Sequence, residues 1–313
     1  MGALQDLLGI RYPIIQAGMV WCSGWRLAAA SAQAGILGVL GAGSMTPDLL
    51  RTHLHKARAA TGGPVGVNIP LLYRHVPAII QLVEEEAVPV VITSAGNPAT
   101  WTPRLKAAGC RVLHVVSTAR FARKAEQAGV DAVICEGVEA GGHNGREELT
   151  TLVLVPLVRA AVSIPVVAAG GIATGGAIAA ALALGADGVQ IGTRFALTQE
   201  SSAHPAYKQA ALHAGEGDTA LALKTLVPVR MLRNAFYHQV AALEQQGAGP
   251  DALRALLGTG RSRRGILEGD LEEGELEVGQ VAAQLHDLPS LSQCLQRLLA
   301  EYRQAVHALP PQL

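Results

Sequence analysis

The sequence lacks the charge imbalance that marks several common classes of protein. Its 25 Lys and Arg are matched by 25 Asp and Glu, so the formal net charge is zero. A protein whose main partner is a nucleic acid or an anionic membrane usually carries a clustered positive excess. The balance of charge therefore argues against both kinds of partner.

Cysteine is scarce, and its spacing suits neither a disulfide framework nor a zinc site. The four cysteines lie far apart in the chain, at Cys22, Cys110, Cys135 and Cys294. Zinc sites and disulfide-rich domains use closely spaced pairs such as CxxC, so we expect no structural metal. The first residues lack the basic and apolar regions of a signal peptide, and no apolar run is long enough to span a membrane. The sequence therefore predicts a cytoplasmic protein.

Aromatic residues are also few, at 4%, whereas glycine occurs 35 times. Glycine, alanine and valine in abundance suit buried parallel strands packed against helices. Eight continuous apolar runs fit that description, and they begin near Pro13, Ile36, Pro64, Val88, Arg111, Ala132, Pro165 and Gly188. Their starts lie 21 to 33 residues apart, the length of one strand plus one helix.

Eight strand–helix units with right-handed crossovers predict an α/β fold, a (β/α)8 TIM barrel. The alternative is an open, doubly wound sheet, whose dinucleotide fingerprint would follow the first strand. Residues 18–24 read GMVWCSG and lack the GxGxxG spacing of that fingerprint. This favours the barrel.

The chain changes character after the eighth run. It contains helical patterns over 205–214, 229–246 and 251–257, and no strand pattern recurs there. We therefore predict three parts: the barrel over 1–197, a helical lid or insertion over 198–276, and a C-terminal helical region over 277–313 that packs back on the barrel.

The seventh and eighth runs end in residues that predict a phosphate site. Ala169, Gly170 and Gly171 end the seventh run, and Gly192 and Thr193 end the eighth. In a barrel these ends share one rim, where backbone N–H groups beside a helix N-terminus can bind phosphate without a lysine.

The longest interval between strands contains a glycine-rich loop at 136–145, EGVEAGGHNG. The loop follows the sixth strand and should lie at the rim where barrel active sites form. Gly142 allows the backbone to approach a flat ligand closely, and the His143 imidazole can transfer a proton near neutral pH. An ordinary surface histidine is the competing interpretation. Glu139 is a weaker candidate that contacts substrate or orients the loop.

Other strand ends carry further candidates. Asn68 ends the third strand and Ser94 ends the fourth, and each could hydrogen-bond a ligand or cap a turn. Gly18 and Met19 follow the first strand. A methionine there offers a soft apolar surface to an aromatic ring, although core packing would also explain it.

Seven segments, spread over nearly the whole chain, resemble one family. They are PIIQAGMVW, GVNIPLL, EGVEAGGHNG, AAGGIATGG, QIGTRF, ESSAHPAYK and EGDLEEGELEVGQ. The family they resemble is that of the FMN-dependent nitronate monooxygenases, formerly 2-nitropropane dioxygenases. Its superfamily includes flavin-dependent enoyl-acyl-carrier-protein reductases and NADH:quinone reductases.

The resemblance implies FMN at the barrel mouth and assigns roles to particular residues. His143 matches the active-site histidine, and Gln280 matches the GQ motif that closes over the site. Gly18, Met19 and Asn68 lie at the flavin ring by this resemblance, and the glycines of the last two strand ends hold the phosphate. The full set assigned to the cofactor is Gly18, Met19, Asn68, Gly142, Ala169, Gly170, Gly171, Gly192 and Thr193.

Two reactions follow from the resemblance, both on small molecules. The leading prediction is a nitronate monooxygenase that oxidises nitronates or nitroalkanes with O2 to a carbonyl compound and nitrite, with His143 deprotonating or holding the substrate. The alternative is a reductase in which NAD(P)H reduces FMN, which then reduces an enoyl thioester or a quinone. Val115 stands where certain family members carry a lysine, and in this it is similar to the enoyl reductases. A homodimer is one possible assembly.

Two further classes fit less well. Residues 170–193 also resemble the phosphate loops of IMP dehydrogenases, which need a nucleophilic cysteine in the loop after strand six. This chain has Gly141, Gly142 and His143 there. A non-catalytic flavin-binding module would need the phosphate glycines and not His143.

Overall fold

The computed structural model describes residues 2–308 and contains eleven strands in that range. They are β1 (Ile14–Gln16), β2 (Gly38–Gly41), β3 (Val65–Pro70), β4 (Val90–Ser94), β5 (Arg111–Val116), β6 (Ala132–Glu136), β7 (Gly142–His143), β8 (Val166–Ala169), β9 (Gly188–Ile191), β10 (Thr219–Ala222) and β11 (Val229–Leu232). Eight of these pair in parallel in the order β1-β9-β8-β6-β5-β4-β3-β2. A parallel bridge between Ile15 and Leu37 joins β1 to β2 and closes the ring. The predicted barrel and its eight strands are confirmed.

Thirteen α-helices surround or cover the barrel within the described residues. They are α1 (Ala3–Leu8), α2 (Trp25–Gln33), α3 (Pro47–Ala60), α4 (Val76–Glu85), α5 (Thr102–Ala107), α6 (Ala119–Gln127), α7 (Thr151–Arg159), α8 (Gly175–Ala183), α9 (Thr193–Ala196), α10 (Pro205–Leu212), α11 (Ala235–Gln245), α12 (Pro250–Leu257) and α13 (Leu291–Ala308). No helix within residues 2–308 combines the length and apolar character that a membrane crossing requires.

Short polar side chains explain where several helices begin. Thr46, Thr118 and Thr174 each accept a hydrogen bond from the backbone N–H three residues further on, at the starts of α3, α6 and α8. Such caps satisfy N–H groups that have no partner inside the helix. They fix the helices at the points where the chain leaves the barrel strands.

The strands separate two apolar layers. Ile15, Ile92 and Val167 point into the barrel and pack there with Leu4 and Leu8 of α1. The alternate strand residues, such as Val67, Val91 and Val189, pack outward against the helices. Because α1 covers the end where the strands begin, the opposite rim is left to carry the site.

The C-terminal part packs against the barrel. After a 3-10 turn at Gln280–Gln284, α13 lies against α8 and α2. It thereby fills the gap in the helical ring between the last and first strands.

Residues 198–276 hold strands as well as helices. β10 and β11 form an antiparallel pair, and β7 adds to the free edge of β11. The prediction that no strand recurs in this region is wrong, because the apolar run after Pro228 suits a strand as well as a helix. The helix predicted over 229–246 begins only at Ala235, where the Asn234 side chain accepts a hydrogen bond from Tyr237 N and caps it.

Candidate active site

The ends of β8 and β9 form one side of the rim, as the glycines predicted. Gly170 and Gly171 adopt φ values of +89° and +69°, which side chains rarely tolerate. A Cβ at Gly170 would also stand 2.7 Å from the carbonyl oxygen of Gly137. Directly after β9, Thr193 begins the short helix α9. Helix-start N–H groups beside glycine backbone make a surface that favours an anion.

Side chains that point into the barrel mouth can be identified from the alternation of the strands. Val67 and Ile69 pack outward, as do Val189 and Ile191, so Asn68 and Gln190 point inward. Gln190 is 6% exposed, and its Oε1 is buried without a hydrogen-bond partner among the described residues. A buried acceptor without a donor costs about 1–3 kcal/mol. A donor from outside these residues would satisfy the oxygen, and a ligand bound in the mouth could supply it.

The turn after β1 brings two predicted cofactor residues together. Ser23 Oγ donates to the carbonyl oxygen of Ala17 at 2.8 Å and accepts from Met19 N at 2.9 Å, which fixes the turn. A Cβ at Gly18 would overlap the Cβ of Asn68, so only glycine lets this turn lie against the end of β3. The partly buried Met19 side chain lies beside the neighbouring strand end at Gly192, where an added Cβ would lie 3.6 Å from its Sδ.

His143 lies on a strand rather than in a loop, which corrects the predicted loop at this point. Gly142 and His143 pair with Arg230 and Val229 of β11. Asn144 Nδ2 donates to the carbonyl oxygens of Ala140 and Gly142, at 2.9 and 3.0 Å, and holds the approach to this strand. The backbone of His143 is thus fixed while its imidazole is exposed.

Glu139 makes the contacts of a residue that orients the loop. Its carboxylate accepts hydrogen bonds from the backbone N–H and the hydroxyl of Thr151, each at 3.0 Å, at the first residue of α7. The neighbouring Val138 carbonyl accepts from Nε of the buried Arg230 at 2.9 Å. Ser94 lies partly buried at the end of β4, where its carbonyl oxygen accepts from Leu71 N at 2.7 Å.

The Gly279–Gln280 segment joins the chain that follows β9 to the chain that follows β6. Gly279 N donates to Thr193 Oγ1, and Gln280 N donates to the carbonyl oxygen of Glu139, both at 3.0 Å. A Cβ at Gly141 would stand 2.5 Å from Gly279 N. The Gln280 side chain is exposed and lines a cavity of about 300 Å³ with Gly215, Glu216, Gly217, Thr219, Ala283 and Gln284.

Three carboxyl groups at the mouth were not predicted from the sequence. Glu136 is the last inward-pointing residue of β6, and burial raises its pKa to about 7. Glu275 and Glu277 come from the segment that precedes Gly279, and burial is the largest cause that raises their pKa values, to about 8 and about 7. The alternation of Ala132, Ile134 and Glu136 in β6 is the one sequence signal that could have found the first of them.

Comparisons with known proteins agree on one family. The family model described as nitronate monooxygenase matches residues 2–78 and 73–301. A curated relative from Rhodococcus jostii, (3aS,4S,5R,7aS)-5-hydroxy-7a-methyl-1-oxo-octahydro-1H-indene-4-carboxyl-CoA dehydrogenase, is 34% identical over 98% of this chain and 97% of its own. A nitronate monooxygenase from Paraburkholderia phytofirmans is 32% identical, covering 98% and 96%. Among solved structures, FabK from Thermotoga maritima superposes with a TM-score of 0.94 and 42% identity, covering 98% and 97%.

Proposed function

The chain belongs to the nitronate monooxygenase family and is a flavin-dependent oxidoreductase that acts on small molecules, and from this premise we propose that it is an FMN enzyme that reduces enoyl thioesters with NAD(P)H. The reverse reaction, dehydrogenation of a saturated acyl thioester, would use the same groups. A curated relative named as a CoA dehydrogenase and the 42% identity to FabK both support a thioester substrate.

The observation that carries this proposal is the set of protonatable groups at the mouth. Glu136, Glu275 and Glu277 have pKa values raised by burial to about 7 or 8, so they hold or release a proton near neutral pH. Saturating a carbon–carbon double bond next to a thioester requires one proton for every hydride. A nitronate is already an anion, and its oxidation needs no proton donor. These protonatable acids therefore suit the reduction better.

Different residues of the rim would contact the phosphate and the ring of FMN. The proposed phosphate ligands are the backbone N–H groups of Gly170, Gly171 and Thr193, and Ala169, Gly192 and Gly142 complete the surface against which the cofactor would pack. Gly18, Met19 and Asn68 would contact the ring, and the orphaned Gln190 Oε1 would accept a hydrogen bond from it. When bound, the flavin supplies the redox chemistry by carrying a hydride between the nicotinamide and the β carbon of the thioester.

The protein's own residues would orient the substrate. The exposed His143 imidazole can donate a hydrogen bond to the thioester carbonyl oxygen, where negative charge develops during the reaction. Gln280 and Ser94 are proposed to contact or enclose the substrate, and Glu139 to keep the His143 strand in register.

The test is to mix the yellow protein anaerobically with NADH, NADPH or a nitronate and to follow the flavin absorbance. We expect a nicotinamide to bleach the flavin and crotonyl-CoA to restore its colour with one equivalent of butyryl-CoA formed. Bleaching by a nitronate but by neither nicotinamide would overturn the proposal.

Nitronate oxidation is the second candidate, favoured by relatives such as the Paraburkholderia phytofirmans enzyme at 32% identity over 98% of the chain. In that reaction His143 would deprotonate a nitroalkane or hold the nitronate, and O2 would be the oxidant. Nitrite formed in air from a nitronate, in amounts equal to the carbonyl product, would support it.

A further inference from the structure

The extended segment that returns from the lid, residues 275–279, places two carboxyl groups beside the His143 strand. Glu277 bridges to Met231 of β11, and Leu232 N donates to the carbonyl oxygen of Leu276 at 2.9 Å. Leu276 and Val278 pack into an apolar cluster of the lid. Because side chains alternate along an extended segment, Glu275 and Glu277 point to the opposite face together.

Glu277 occupies the space that glycine leaves open next to His143. Its Oε2 would stand 2.5 Å from a Cβ added at Gly142, and Gly142 has a φ of +76°. The Tyr207 hydroxyl donates to the backbone carbonyl of Glu277 at 2.6 Å and holds this part of the segment in place. The carboxyl group is therefore seated against the strand that carries the histidine.

Groups from three other elements of the mouth are influenced by the charge of Glu277. It helps to raise the pKa values of Cys22 after β1, Tyr73 after β3 and Tyr207 on α10, in each case after the larger effect of burial. The charge of Glu277 therefore acts on residues that follow β1 and β3 as well as on α10.

Neither carboxyl group is paired. Glu275 is 6% exposed and Glu277 is partly exposed, and neither carboxyl group has a hydrogen-bond or ion-pair partner among residues 2–308. The charge of Glu277 adds to the effect of burial on Glu275, whereas His143 and Arg261 act in the opposite direction. Burial and the charge of Glu277 thus both favour the protonated form of Glu275, and burial favours the protonated form of Glu277.

We propose, on the basis of the function proposed above, that Glu277 is the acid that delivers the proton to the carbon next to the thioester carbonyl, and that Glu275 is the positioning residue beside it. As the β carbon gains a hydride, the α carbon forms a C–H bond with the proton of the Glu277 carboxyl group. The C=C double bond becomes a single bond, and the carboxylate regains a proton from water. The two electrons come from NAD(P)H.

The first experiment measures proton delivery to the thioester separately from reduction of the flavin by NAD(P)H. Reduced wild type and Glu277→Gln are mixed anaerobically with crotonyl-CoA, and flavin reoxidation is timed between pH 5.5 and 9. We expect the wild-type rate to fall above about pH 7, and the variant to be about 100-fold slower without this pH dependence. Reduction of the flavin by NAD(P)H should stay within about twofold of wild type. Glu272→Gln, the same change at an exposed position of the same stretch, serves as the control.

The second experiment measures the protonation of the Glu277 carboxyl group without turnover. In protein labelled with ¹³C at the Glu side-chain carboxyl carbon, the resonance that disappears in Glu277→Gln should titrate near pH 7 with and without flavin. A midpoint between 4 and 5, or a variant that reoxidises as fast as wild type, would overturn the role of Glu277 while leaving the proposed function intact. A wild-type enzyme that reacts with no thioester would overturn both.

Discussion

Thr193 Oγ1 accepts a hydrogen bond from the backbone N–H of Gly279 at 3.0 Å, and this bond ties the segment returning from the lid to the predicted phosphate rim. Two stretches of chain that lie 86 residues apart in sequence thus meet at one hydroxyl group. The lid and the cofactor site should therefore respond together to changes at Thr193.

Thr193→Val tests that coupling. Valine cannot accept the hydrogen bond, so the buried Gly279 N–H loses its partner at a cost of about 1–3 kcal/mol. We expect the Kd for FMN, measured by quenching of flavin fluorescence, to rise about tenfold. Thr193→Ser keeps the hydroxyl and should bind FMN as wild type does. Equal affinities in the two variants would contradict the coupling.

Gln190→Leu tests whether the orphaned oxygen serves the cofactor. Leucine removes a buried acceptor that has no partner, so the flavin-free protein should gain about 1 kcal/mol in free energy of unfolding. The affinity for FMN should fall about tenfold, since the ring loses an acceptor. Both quantities can be measured by urea unfolding and by titration of the flavin-free protein.

Gln16→Leu is the matched control for that experiment. The Gln16 side chain is also buried, but its amide donates to Ser23 Oγ at 2.9 Å and accepts from Val39 N at 3.0 Å. The same substitution there should destabilise the protein. If Gln190→Leu lowers the free energy of unfolding as Gln16→Leu does, Gln190 Oε1 is not an unpaired acceptor that a ligand completes.

Glu275→Gln should change how stability depends on pH. Burial is the main cause that raises the folded pKa of Glu275 to about 8 from an ordinary value of 4.5, and the folded protein therefore holds a proton that the unfolded chain releases between these values. The stability linked to this group is fully present below pH 4.5 and is lost as the pH rises through about 8. Glutamine stays neutral at both pH values. The melting temperature of the variant should therefore exceed that of wild type at pH 8.5 and equal it at pH 4.5. A difference in melting temperature that does not vary with pH would contradict this.

His143→Ala should separate catalysis from folding. The backbone of His143 pairs with Val229 and its ring is exposed, so the free energy of unfolding should change by no more than about 0.5 kcal/mol. Thioester reduction should fall about 100-fold while FMN stays bound. His307→Ala, at an exposed position near the end of α13, should leave turnover unchanged. Full turnover in His143→Ala would make the histidine dispensable.

The barrel could be predicted from the sequence because its strands are marked locally. Each is a short continuous apolar run, and residues such as Thr46 and Thr174 mark where the next helix starts. The β10–β11 pair could not be predicted in the same way. Its residues read as apolar in either a helix or a strand, and the strand that covers the other edge of β11, β7, lies more than 75 residues earlier in the chain.

The candidate site likewise has a part that could be predicted from the sequence and a part that could not. The positions of Gly170 and Gly192 at the rim could be predicted, because glycines that end the strands of a βα unit lie there, and their role as phosphate ligands stays a prediction. The stretch EGDLEEGELEVGQ holds six acidic residues, and nothing in their spacing tells which of them are buried. That depends on where residues 275–279 dock, and their docking depends on Met231 and Thr193. The pair Glu275 and Glu277 therefore emerges only from the three-dimensional contacts.

The pairing of His143 with Val229 makes the lid and the histidine parts of one piece of sheet. If the lid swings away as a unit, it must either pull the histidine strand with it or break the two-residue pairing. The position of the histidine is therefore tied, through two pairs of residues, to the position of the whole 198–276 region.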